Sequence, residues 1–114
     1  MVSECETWLI ETGDIVTAKK ARLGLSSLSD TERAIYCFWV IDYSVRNSGT
    51  LSELEALYPE SLSDLNQFAR DNHCAPLFQI SSQKNETNGE YFFEKYYRLF
   101  DLACAEIRML YEHT

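Results

Sequence analysis

In this 114-residue chain the residue whose surroundings most invite chemistry is Asp42, set in the run Phe38-Trp39-Val40-Ile41-Asp42-Tyr43-Ser44-Val45-Arg46. A carboxylate among apolar neighbours resists ionisation, and a raised pKa suits it to general acid or base work. Such work needs a converging group, and neither a histidine nor a second carboxylate is tied to Asp42 by spacing. The reading without catalysis pairs Asp42 with Arg46 one helical turn later, or with a tyrosine of the last helix. His73 beside Cys74 has the types of a metal pair or a Cys-His nucleophile. Adjacent residues at a helix end point apart, so the pair reads instead as a helix C-terminal histidine and a core cysteine.

Other catalytic and metal patterns are missing from the sequence. Cys5, Cys37, Cys74 and Cys104 stand far apart with no C-x-x-C pair, so they read as reduced core thiols. The carboxylates form neither an Asp-x-Asp loop nor a helical Glu-x-x-His, and no Gly-x-Ser-x-Gly, P-loop or dinucleotide fingerprint occurs. Four glycines leave little material for a phosphate cradle. The expectation is a protein that is not an enzyme and takes neither cofactor nor metal.

Charge directs attention to binding. Eighteen acidic against ten basic residues give a net charge of −8. Nucleic acid and anionic membranes are held by Lys and Arg, so direct binding to either is disfavoured. A basic protein, or a protein site that normally receives nucleic acid, is electrostatically favoured. The carboxylates Glu53, Glu55, Glu60 and Asp64 are the expected contact set. Tyr91, Phe92, Phe93, Tyr96, Tyr97 and Phe100 exceed what one helix face ordinarily buries, which makes Tyr91 and Tyr97 candidates for an exposed anchor patch. The longest apolar run, Ile35 to Ile41, falls short of the roughly 20 residues of a membrane span. With no basic-then-apolar leader at the N-terminus, the expected location is the cytoplasm of a bacterial-type cell.

The elements that must position these residues follow from capping and periodicity. Hydrophobic residues make up 46% of the chain and aromatics 13%, enough for a single domain over 1–114 with its own core. Ser29 followed by Glu32 is a capping box, and the helix it opens, about 29–47, is apolar on nearly every side, with Trp39 among its large residues. Asn47-Ser48-Gly49 supplies a left-handed stop. Before it, about 3–23 reads as one helix with a possible break at Gly13, or as two short ones. After it come a short amphipathic helix over 50–58 ended by Pro59, and a helix capped by Ser61 or Ser63 that stops near Asn72 to Cys74, ahead of Pro76. Leu77 to Ile80 carries the only hint of strand, 81–89 reads as an exposed mobile loop, and a long last helix covers about 89–112. The fold class is all-α: a compact bundle of four to six helices around the central one.

The central helix with its exit, Phe38 to Leu51, resembles a family of small bacterial all-helical domains, originally of unknown function, that includes an acidic DNA-mimic protein. In that family an aromatic-rich helix ends in Glu-Val-x-Asn-Gly-Gly-Phe. Val45, Asn47 and Gly49 match, while Ser44 stands for the glutamate, Ser48 for the first glycine and Thr50 for the residue that follows. The resemblance implies a helical fold whose surface carboxylates imitate DNA phosphates. The functional expectation is an acidic protein-binding module, as inhibitor, immunity protein or DNA mimic, that occupies a basic or nucleic-acid-binding protein. The alternative is a scaffold or assembly subunit, a homo-oligomer joined through the aromatics of the last helix.

Overall fold

Ser29 opens the central helix by a reciprocal exchange. Its hydroxyl accepts from the Glu32 N–H at 3.1 Å, and its own N–H donates to Glu32 Oε1 at 2.9 Å. The helix, Asp30–Ser48, stops at Gly49, which takes the left-handed conformation at φ 71° and donates its N–H to the Val45 carbonyl. The computed structural model describes residues 3–82 and 90–113, and the side chains of all of these except 90–92. Within them lie six α-helices and no strand: α1 (Glu4–Leu23), α2 (Asp30–Ser48), α3 (Leu54–Leu57), α4 (Ser61–Asp71), α5 (Ala75–Ser81) and α6 (Glu90–Glu112). A 3-10 turn over Leu25–Ser27 joins the first two.

The sequence of α2 leaves it no solvent side over most of its length, and the bundle is built to cover it. Ala34 to Phe38, Val40 to Asp42, Ser44 and Val45 are all buried. Helices α1, α3, α4 and α6 pack on it, and α5 closes the gap between α4 and α6. Leu9 and Val16 of α1, Leu62, Leu65 and Phe68 of α4, Leu77 and Ile80 of α5, and Tyr96, Phe100 and Ile107 of α6 complete one core. Lys19 of α1 reaches the capping Glu32 at 3.0 Å and ties the helix start to its neighbour. The N–H of Ser29, and then Lys19, hold the Glu32 carboxyl below its ordinary range against the opposing effect of burial.

One open alternative is resolved and local expectations are corrected. Helix α1 is continuous through Gly13, which is buried because the Trp39 side chain lies against the backbone there. A Cβ at Gly13 would stand 2.2 Å from Trp39 Cδ1. Residues 77–80 are helix, not strand. Pro76 sits in the first turn of α5, where its fixed φ suits a helix, and Leu77 and Ile80 bury one face at i, i+3 spacing. Neither Ser61 nor Ser63 caps α4: Glu60 holds the cap position, and both hydroxyls donate backward, Ser61 to the Tyr58 carbonyl and Ser63 to that of Glu60. Finally, α3 is a single turn. Leu51 and Leu54 are buried but Leu57 is not, and Tyr58 is extended, as a residue before proline must be. Of the exposed loop expected over 81–89, Ser81 is instead the buried last residue of α5, and 83–89 lie outside the described residues.

The Gly13 contact makes a test, because alanine normally improves a helix interior by up to about 1 kcal/mol over glycine. Here Gly13→Ala should destabilise by about 1–3 kcal/mol, since the indole has to leave its place against α1. Urea unfolding measures it, and a stabilised variant would show that the close approach carries no cost.

Candidate functional site

Asp42 is 4% exposed and meets both of the partners that the sequence left open as alternatives. Arg46 Nε donates to its Oδ1 at 2.8 Å, and Tyr96 Oη, arriving from α6, donates to the same oxygen at 2.5 Å. Arg46 extends the cluster. Its Nε also lies 3.3 Å from Glu6 Oε1 of α1, and its guanidinium carbon stands 4.9 Å from the ring centre of Phe100 and 5.2 Å from that of Tyr97. Burial pushes the Asp42 carboxyl up, and the Tyr96 hydroxyl and Arg46 guanidinium pull it down without cancelling that push. For Arg46, burial alone would lower the pKa, but Asp42 more than offsets it, and the guanidinium is held charged. Burial raises the Tyr96 hydroxyl well above its usual range, with Asp42 adding to it, so it remains a donor.

Beside this cluster, α1 and α2 line a groove of about 390 Å³. Ile10 and Asp14 form the α1 wall, and Trp39, Asp42, Tyr43, Arg46 and Asn47 form the α2 wall. Ile10 is 42% exposed and Tyr43 46%, so the apolar floor is open to water. Two further carboxylates reach the edge through bonded neighbours: Glu6 through Arg46, and Glu53 through Asn47, whose Nδ2 donates to Glu53 Oε1 at 2.9 Å. The groove and its edge thus hold four carboxylates, Asp14, Asp42, Glu6 and Glu53, and one guanidinium, which pairs with Asp42 and Glu6. Ser44 helps to fix this end of α2, since its buried hydroxyl donates to the Thr50 carbonyl at 2.7 Å and accepts from the Glu53 N–H at 3.3 Å.

The four carboxylates proposed from sequence do not share one face. Glu53 is tied to Asn47, whereas Asp64 lines a separate groove of about 200 Å³ with Asp30, Arg33 and Asp71. Arg33 and Asn47 are separated by about 20 Å of helix axis at 1.5 Å per residue. Asp64 also accepts from the Tyr58 hydroxyl, while Glu55 and Glu60 are exposed. Tyr97 is 47% exposed and lies under Arg46; the Tyr91 side chain is outside the described residues.

Sequence reasoning missed the groove, although Ile10 with Asp14 and Trp39 with Tyr43 are i, i+4 pairs that a joint reading of two helical faces would have set opposite each other. Among the described residues, no group of three or more His, Cys, Asp or Glu side chains could hold a metal. His73 is exposed beyond the end of α4 at φ 56°, and Cys74 is buried. Burial raises the thiols of Cys37, Cys74 and Cys104, and all four cysteines are free.

The Asp42 cluster sets a pH-dependent test. A carboxyl whose folded pKa exceeds its unfolded one contributes stability that is full below the unfolded pKa and lost as pH rises through the folded pKa. Tyr96→Phe removes a donor to the ionised form, so it raises the Asp42 pKa further and enlarges that loss. The variant should lose about 1–3 kcal/mol in urea unfolding, with a larger penalty near pH ~8 than near pH ~5. An equal penalty at both would show that Asp42 does not titrate between them.

Comparison of the chain with protein-family models, with curated proteins and with solved structures finds no match, so the site's chemistry is read from its own geometry.

Proposed function

We propose that this chain is an acidic protein-binding module, acting by association rather than catalysis, whose α1/α2 groove receives a basic segment of a partner protein. The observation that carries this reading is the groove itself: a solvent-open apolar floor of Ile10, Trp39 and Tyr43 with four carboxylates to one guanidinium around it. The net charge of −8 supplies attraction beyond contact distance, raising the association rate and weakening with salt. The apolar floor gives short-range affinity once water is expelled, and the rim selects for positive charge. Inhibitor, immunity protein and DNA mimic are the concrete roles that share this physics, each placing an acidic face in a basic site.

A second reading, assembly through α6, is favoured by Leu102 and Met109. These are 60% and 62% exposed and lie two turns apart on one helix face. Sedimentation separates the two, since a homo-oligomer dissociated by Leu102→Ser with Met109→Ser would place the working surface on α6.

The leading reading is tested by calorimetric titration with an arginine-rich peptide. Affinity should fall about tenfold or more between ~50 and ~300 mM salt. Asp14→Asn with Glu53→Gln should weaken binding more than Glu55→Gln with Glu60→Gln, which removes the same charge away from the groove. Salt-insensitive binding, or equal losses from the two pairs, would overturn it.

A further inference from the structure

Three cations of this protein lie over aromatic rings among the described residues. Lys20 Nζ lies 5.1 Å from the ring centre of Tyr36, Arg46 covers Tyr97 and Phe100, and Arg108 stands 5.8 Å from Trp8. Along α2, Tyr36, Trp39 and Tyr43 form a continuous stack, with ring centres 6.3 and 6.2 Å apart and planes inclined by 23° and 25°. Lys20 covers the Tyr36 end. Among the described residues no Lys or Arg lies over Trp39 or Tyr43, and the Tyr43 end of the stack opens into the α1/α2 groove. Arg46 lines the same groove, but its guanidinium is engaged by Asp42, Glu6 and the rings of α6.

We infer that the Trp39–Tyr43 pair is the seat for an arginine side chain of the partner, with the Asp14 carboxylate accepting its N–H groups. The assignment rests on the binding-module reading above and names the side chain that the groove selects. An aromatic face attracts a cation through its quadrupole, and the Tyr43 end of the stack offers a ring on which a planar guanidinium lies flat, with Trp39 behind it. Guanidinium is also more weakly hydrated than ammonium, so less water has to be stripped from it in an apolar groove. Asp14, on the wall facing the rings, is exposed and supplies the charge that the rings lack. The geometry therefore favours arginine over lysine and lysine over any neutral side chain.

The experiment titrates the intact protein with the peptide acetyl-Gly-Arg-Gly-amide and follows the Trp39 indole N–H and the Tyr43 ring by NMR, with the Lys and Gln peptides as comparators. The expected result is a saturable shift centred on Trp39 and Tyr43, strongest for the Arg peptide. Tyr43→Leu and Asp14→Asn should each weaken it about three- to tenfold, and Tyr43→Phe, which keeps the ring, should not. Because Tyr43 and Asp14 are exposed, the variants leave the core intact. Unchanged affinity in Tyr43→Leu, or shifts centred on Trp8 or Tyr97, overturns the assignment. Either result, together with salt-dependent and groove-dependent binding of the longer basic peptide, leaves the binding-module reading standing while removing this one.

Discussion

Asp42 is itself buried on α2, and a carboxylate so placed costs several kcal/mol unless donors reach it. Arg46 is near enough in sequence to supply one donor, but it does not suffice. The second comes from Tyr96, on a different helix, and Arg46 itself is then held by Glu6 of α1 and by the ring faces of Tyr97 and Phe100. One buried charge thereby fixes the relative placement of three helices that hydrophobic contact alone would allow to slide. A helix displaced by one turn would still bury leucine and isoleucine, but it would leave a charge without its donor.

The same arrangement accounts for the character of the neighbouring groove. Arg46 would make that surface positive if it stood alone, and the four carboxylates in the groove or at its edge reverse the sign. Close by, the absence of a side chain at Gly13 admits Trp39 against α1, while Ile10 and Tyr43 remain exposed in the groove.

Much of this was legible from the chain. The capping box at Ser29 and Glu32 and the glycine stop placed α2 within a residue, because both ends are encoded by local hydrogen bonds that need no tertiary context. The pairing of Asp42 with Arg46 was legible for the same reason. Gly13 was not, since a glycine that breaks a helix and one that admits a neighbouring indole look alike until the neighbour is known. Leu77 to Ile80 is too short to distinguish a period of 2 from one of 3.6, and only Pro76 points to a helix start. The hydroxyls of Ser61 and Ser63 can cap forward or bond backward, and tertiary placement of Tyr58 and Glu60 decides between them. The groove needs two helices in register and was outside the reach of single-helix periodicity.

The separation of 54 residues between Asp42 and Tyr96 also has a meaning in time. A ribosome adding about 5–20 residues per second leaves an interval on the order of 3–10 s between the two. Until Tyr96 is added, Asp42 lacks the donor that α6 supplies in the folded protein, and the face of α2 that α6 covers has no partner from it.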